Sequence, residues 1–379
     1  MMRKLTQIGL LSVCLSVSGW ALTPGDGVTL DAIASANFVK GEAPAAWNKG
    51  EVYILECWAT WCGPCIAAIP HVDGLYDKYH EKGLNVLGMN VFENGQDKVV
   101  KFVEGKGDGM SYPVAYVGRG GDFDKAWLKP AGINSIPKCL VIKDGKLLFI
   151  LHPNALNDEM IEGLLAGGEK EKAVISNVYK EQADSEAVKA AHHDFKKSLA
   201  NKDLEGMRSA YQIISERGRQ PSNLNSMRLY INVMSHEWAD AKEALSLMKG
   251  QPDDLITAHT LINQFDENSE DVPDEFLQGL LTMLNNTSSS HFLNDPGMAR
   301  LYWLLGEKDR ALVAAKKMME IKSLIPEKQR QDFVDSFSTD EPDTLIQYSS
   351  AVSKVMKARA AEHRAKRKAE VAAKKADHK

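Results

Sequence analysis

Cysteine is scarce in this chain. Among 379 residues there are five: Cys14 in an amino-terminal apolar stretch, then Cys57, Cys62, Cys65 and Cys139. So few thiols cannot build a disulfide-stapled scaffold. A second Cys-x-x-Cys, or a well-spaced Cys and His pair, is also missing, and a structural zinc site needs one of them. His192-His193 and His236-Glu237 read as solvated helix surface rather than metal ligands. No apolar run is long enough to cross a bilayer comfortably. Signs of disorder are missing too: 44% hydrophobic and 26% charged residues describe a soluble globular protein, and the length asks for two or three domains.

A large excess of positive charge is found only at the end. Lys354–Lys379 holds ten Lys or Arg against three Asp or Glu, a balance of +7 in a chain whose total is −5, so the remainder carries −12. Residues 351–379 are expected to form a basic tail, frayed or disordered. Such runs bind acidic membrane surfaces, nucleic acid or acidic partners. Here a solvated end is the first reading, peripheral membrane contact the second, and nucleic acid is set aside because the chain carries an export signal. That signal is Arg3 and Lys4, the uncharged stretch Leu5–Val17, and Gly19-Trp20-Ala21. The pattern predicts a signal peptide over 1–21, cleaved after Ala21, and an exported, periplasmic or extracytoplasmic protein. An uncleaved anchor is the weaker alternative, since the apolar run is short. Val13 ahead of Cys14 argues against lipidation.

Within 22–167 the pattern is α/β. After a polar connection through Leu22 to Ser35, Glu51–Trp58 is almost continuously apolar, the mark of a central strand buried on both faces. A helix is expected over Gly63–Tyr79 with Pro70 inside it, a second buried strand over Leu84–Phe92, and a helix over Gln96–Val103. Tyr112–Val117 reads as extended and Phe123–Leu128 as a helical turn. Two strands, Lys138–Lys143 and Lys146–Leu151, flank the hairpin turn Asp144-Gly145, and a helix follows over Asn157–Leu165. The result is a mixed sheet with helices on both sides.

Between the first strand and the first helix lies Trp61-Cys62-Gly63-Pro64-Cys65. Two cysteines at this spacing let one thiol attack a foreign disulfide while the other resolves the mixed disulfide. At the amino end of the helix, unpaired N–H groups and the dipole favour the Cys62 thiolate, which makes Cys62 the nucleophile. Cys65, one turn later, is the resolving thiol. Cys57 and Cys139 read as small buried apolar side chains. Strand alternation puts Cys57 on the opposite face from Glu56, and a Cys57–Cys139 bridge requires adjacent strands and a common face.

Residues 38–167 resemble the extracytoplasmic thioredoxin-fold reductases called TlpA-like or ResA-like. The features carrying the resemblance are Trp58-Ala59-Thr60-Trp61-Cys62-Gly63-Pro64-Cys65, Pro70 five residues beyond, Ile136-Pro137 followed by Cys139–Lys146, and an extra segment at 96–131. The resemblance implies that Cys62 and Cys65 form the redox-active disulfide, with no cofactor and no metal. It also makes Glu56 the buried acid that takes the Cys65 proton; a carboxyl among apolar neighbours titrates high, though a strand-end position would leave it exposed. Pro137 becomes a cis-proline beside the reactive thiol, with Trp61 and Ile136 forming the substrate-binding rim. The implied partners are disulfide-bearing proteins and a membrane thiol electron donor. Gly63-Pro64 points to a reductase; a disulfide oxidase or isomerase is the enzymatic alternative. One departure is Gly88, where many thioredoxins carry a lysine; without that cation Glu56 is expected to depend on water or the thiols.

Ala166-Gly167-Gly168 closes this unit, and Glu169–Lys172 reads as a linker to an all-α helical-hairpin domain over 168–350. Its breaks are Gln220-Pro221, Gln251-Pro252 and Asp295-Pro296, each opening a helix. Leu229-Tyr230 to Met248 and Leu301-Tyr302 to Met319 resemble each other at an offset of 72, about two units of the ~34-residue helical hairpin repeat. The pattern is similar to tetratricopeptide repeats, and such stacks bind protein partners. A redox-linked adaptor is therefore the alternative from another functional class.

Overall fold

The computed structural model describes residues 21–218, 223–248, 252–265, 271–286, 294–320, 325–339, 342–355, 357, 358 and 361. Nearly all of the expected signal peptide, the Gln220-Pro221 break and most of the basic tail lie outside them. The described chain forms two compact units, one ending at Gln182 and the other beginning at Ala183.

In chain order the first unit contains α1 (Asp31–Ala34), β1 (Asn37–Lys40), β2 (Val52–Trp58), α2 (Gly63–Tyr79), β3 (Leu84–Val91), α3 (Asp97–Lys106), β4 (Val114–Gly118), β5 (Lys138–Lys143), β6 (Lys146–Leu151) and α4 (Asp158–Ala166). The first turns of α5 (Gly168–Ala200) complete it. Its sheet runs β1-β4-β3-β2-β5-β6. Strands β2, β3 and β4 are mutually parallel, while β1, β5 and β6 pair antiparallel with their neighbours.

All seven residues of β2 are buried, because alternate side chains feed two different cores. Val52, Ile54 and Trp58 meet Cys65, Ile69 and Val72 of α2 and Ile161 and Leu164 of α4. Tyr53, Leu55 and Cys57 meet Ile33, Phe123, Trp127 and Leu128 on the other side. That double burial accounts for the uninterrupted apolar run. The helix over Gly63–Tyr79 forms with Pro70 inside it. The piece expected at Tyr112–Val117 is β4, and Phe123–Leu128 contains a π-helical turn at Asp124–Leu128. The expected polar connection contains α1, and no expectation covered β1, a four-residue edge strand with no fully buried side chain and hence no apolar signature.

The stretch Glu169–Lys172 is the first turn of α5 rather than a linker. Glu171 is committed there: Lys143, 4% exposed, places its Nζ 2.7 Å from Glu171 Oε2 and donates to the Leu164 carbonyl. A buried ammonium needs such a partner. Further along α5, Val174 and Val178 pack into the first core. Tyr179 and Gln182 donate to the carbonyls of Leu148 and Ile150 on edge strand β6 at 2.7 and 2.9 Å, satisfying backbone groups that an open edge leaves exposed.

The second unit is all helical: the end of α5, then α6 (Leu204–Arg217), α7 (Leu224–Met234), α8 (Trp238–Ser246), α9 (Pro252–Phe265), α10 (Asp274–Asn285), α11 (Asn294–Leu304), α12 (Lys308–Lys317) and α13 (Glu327–Ser336). One apolar core runs through it from Ala191 to Val352. Helix α9 starts at Pro252, and Pro296 sits in the first turn of α11, where the missing N–H costs nothing. Three described hairpins turn alike. Lys202, His236 and Gly306 adopt left-handed backbone, and the next residue's N–H reaches five residues back, from Asp203 to Ser198, Glu237 to Asn232 and Glu307 to Tyr302. The turns at His236 and Gly306 are 70 residues apart. The Leu-Tyr match has an offset of 72, two residues longer than the spacing of these two turns.

Candidate active site

The site lies where β2 and β3 end and α2 begins. Cys62 is the N-cap of α2, with extended backbone, and its Sγ accepts the Cys65 N–H at 3.2 Å. Cys62 and Cys65 are joined in a disulfide, 5% and 0% exposed respectively. The thiol nearer solvent is thus the one at the helix terminus, where a thiolate gains most from the free N–H groups. Trp61 beside it is 58% exposed.

Behind the dithiol, Glu56 is completely buried, so it does not stand exposed at a strand end. It shares its face of β2 with Ile54 and Trp58, the face on which Cys62 and Cys65 also pack. Its strand neighbours are Gly88 on β3 and Cys139 on β5. Burial pushes its carboxyl up to about 7; the Tyr112 hydroxyl, donating to Oε2 at 2.6 Å, opposes this and nearby Asp73 adds to it. Oε1 is buried and has no hydrogen-bond partner. The expected dependence on water or the thiols is corrected here: a phenol hydroxyl stands where a cation was missing. Tyr112 was invisible to sequence reading because it lies 56 residues from Glu56. Its one signal was an apolar aromatic at the start of an extended segment.

The rim is held from three strands. Ile136-Pro137 is a cis peptide immediately before β5, and Lys138 pairs with Cys57, so the loop reaches the end of the sheet from which the Cys62 turn departs. Ile136 is half-buried and Pro137 buried. Just beyond β3, Glu93 is 4% exposed, and its Oε2 accepts the Thr60 N–H at 2.9 Å and the Thr60 hydroxyl at 2.8 Å. The Trp61 indole N–H donates to the Phe92 carbonyl at 3.4 Å, with Phe92 in left-handed backbone at φ 55°. Glu93 and Phe92, which sequence reading passed over, therefore anchor the turn that leads into Cys62.

Cys57 and Cys139 are both free and buried. They lie on adjacent strands but opposite faces, Cys57 in the core with Leu55 and Cys139 in the core with Cys65, so no bridge forms between them. Burial pushes both thiols up, with the Glu56 charge adding to it. Neither has the electropositive, accessible setting of a reactive thiol.

A mixed thioredoxin-type sheet, a dithiol capping the following helix and a buried carboxyl behind it define a thiol-disulfide oxidoreductase domain. Residues 43–150 match the Redoxin family model, and over this stretch the chain is similar to ResA proteins. The chain is 35% identical over 101 residues to "Thiol-disulfide oxidoreductase ResA" of Bacillus thuringiensis subsp. konkukian, covering 26% of this chain and 54% of that protein. It is 27% identical over 114 residues to ResA of Halalkalibacterium halodurans, covering 30% and 60%. The chain thus spans about half the length of the curated relatives it matches. Among solved structures it resembles StoA from Bacillus subtilis, at 21% identity and TM-score 0.26, covering 33% of this chain and 95% of that one. It also resembles a thioredoxin-family thiol:disulfide interchange protein from Chlorobium tepidum, at 24% identity and TM-score 0.30, covering 38% and 96%.

Proposed function

We propose that this chain is an exported reductase of protein disulfides. The observation that carries the reading is the Cys62–Cys65 pair at the start of α2 with the buried Glu56 carboxyl on the same face. In the reduced protein the Cys62 thiolate attacks one sulfur of a substrate disulfide, forming a mixed disulfide and expelling the other sulfur as a thiolate. Cys65 then passes its proton to Glu56 and attacks Cys62 Sγ, releasing the second substrate thiol and closing the protein's own disulfide. Two electrons have moved to the substrate, and a membrane thiol donor returns them. Trp61 and the Ile136-Pro137 backbone form the rim against which an extended substrate segment lies.

Direction rests on Gly63-Pro64, which resembles the thioredoxin pair. Equilibration of the Cys62–Cys65 couple against glutathione and dithiothreitol should give a potential near about −270 mV; a value near roughly −120 to −180 mV belongs to an oxidase or isomerase and would sink the reductase reading.

Export is supported by the amino-terminal pattern, and among the described residues no helix is long and apolar enough to cross a membrane. The helical unit, with a core of its own, is read as the surface that recruits a partner protein. A chain ending at Gln182 should be exported and still reduce insulin while losing its biological role. Full in vivo function of that fragment would remove the partner reading, and retention of it in the cytoplasm would remove the export reading.

A further inference from the structure

We infer that Tyr112 is a positioning residue for Glu56, and that Gly88 is the place in the sheet that admits its ring. The inference rests on the reading of Glu56 as the acceptor of the Cys65 proton. Gly88 lies directly opposite Glu56 in the β2–β3 register, and its backbone is not left-handed, so conformation does not demand glycine there. Space does. A Cβ at position 88 would stand 3.0 Å from Tyr112 Cε2 and 3.2 Å from Trp58 Nε1, so no longer side chain fits while the ring is present.

The ring is pinned from both flanks. The Ser111 N–H donates to Asp73 Oδ1 of α2 at 2.5 Å, and the Pro113 carbonyl accepts the Gly88 N–H at 2.9 Å. Tyr76 of α2 packs edge-on against it, with centroids 6.0 Å apart. Thus fixed, the fully buried phenol spends its one proton on Glu56 Oε2 and leaves Oε1 unpartnered to receive another. Among the described residues, the other titratable groups around Glu56 are Asp73 from α2, Cys57 from β2 itself and Cys139 from β5, with Cys62 and Cys65 joined as a disulfide on the same face, while β3 presents Gly88. No cation is among them, so Tyr112 is the group that favours the carboxylate. Burial raises this phenol well above its ordinary range, which keeps it a donor throughout.

The test is single-turnover reduction of a model disulfide by the full chain from pH 5 to 9, paired with 13C NMR titration of the Glu56 carboxyl. The wild-type midpoint is expected at about 7. Tyr112→Phe keeps the ring and removes the donor. A hydrogen bond to a charged group corresponds to about one to two pH units, so both the kinetic and the NMR midpoints should rise by that amount. Gly88→Ala, which crowds the ring by a few tenths of an ångström and keeps the hydroxyl, should move them the same way by a smaller amount and serves if Tyr112→Phe does not fold. Glu56→Gln should lose the kinetic inflection. If Glu56→Gln loses the inflection but neither other variant moves the midpoints, the Tyr112 inference is overturned and the Glu56 reading stands. If Glu56→Gln keeps the inflection, the Glu56 reading falls, and with it any role for Tyr112 in proton transfer.

Discussion

Replacing Cys62 by serine should reduce the insulin-reducing activity of the chain, measured with dithiothreitol, to the uncatalysed background. The loss is total in principle because a hydroxyl oxygen can neither attack a disulfide sulfur nor be carried as a mixed disulfide. Cys65→Ser should behave differently. Cys62 keeps its position as the N-cap of α2 and still attacks, but the mixed disulfide is not resolved and accumulates as a covalent adduct with the substrate. Turbidity reads the first result and non-reducing electrophoresis the second. Retained turnover in Cys62→Ser would mean that the chemistry lies elsewhere, and the buried Cys57 and Cys139 give it no obvious home.

Glu56→Gln should make the first unit more stable at pH 8 than the wild type, with the advantage gone by pH 4. In the folded chain this carboxyl is held neutral up to about 7, against an ordinary value of 4.5. Between those values the unfolded chain has released a proton that the folded chain still binds, so stability falls as pH rises. Below 4.5 the group is neutral in both states and contributes nothing; above 7 it is a buried charge in one and a solvated charge in the other. At about 1.4 kcal/mol per pH unit, the wild type loses about 3 kcal/mol across the window, and glutamine, which does not titrate, loses none of it. Hydrogen exchange of the β2 amides at pH 4, 6 and 8 reads this unit without the helical one. The difference between the two proteins matters, since the other carboxylates titrate alike in both. Parallel pH dependences would contradict a carboxyl neutral near pH 7. Under the proposed role of Glu56 as acceptor of the Cys65 proton, the same desolvation that costs stability suits it to work near neutrality, so stability and chemistry would oppose one another at this residue.

The site was legible to unequal depths. Cys62, Cys65 and Trp61 lie in one five-residue run, and the meaning of that run depends on spacing and on the strand-to-helix junction, both local. Pro137 and Glu56 were placed by resemblance to a family; in the structure Pro137 immediately precedes β5 and Glu56 lies buried on β2 opposite Cys139. Glu93 and Asp73 were not found. Each is an ordinary acidic residue in sequence, and only folding shows that one holds Thr60 and the other holds Ser111. Gly88 shows the limit most clearly: it read as a lost lysine, and it is the space that a tyrosine 24 residues later occupies.

The sequence by itself determined the order of strands and helices from β2 to α4, the dithiol at the strand-to-helix junction, and the face of β2 on which Cys57 falls, because each of these follows from periodicity or from neighbours within one turn. Tertiary structure alone decided the partner of Glu56, the separation of Cys57 from Cys139, the membership of the first turns of α5 in the redox unit, and the register of the helical hairpins. These depend on which strands become neighbours and what fills the room between them. Such contacts join residues tens of positions apart, where no local pattern carries a signal.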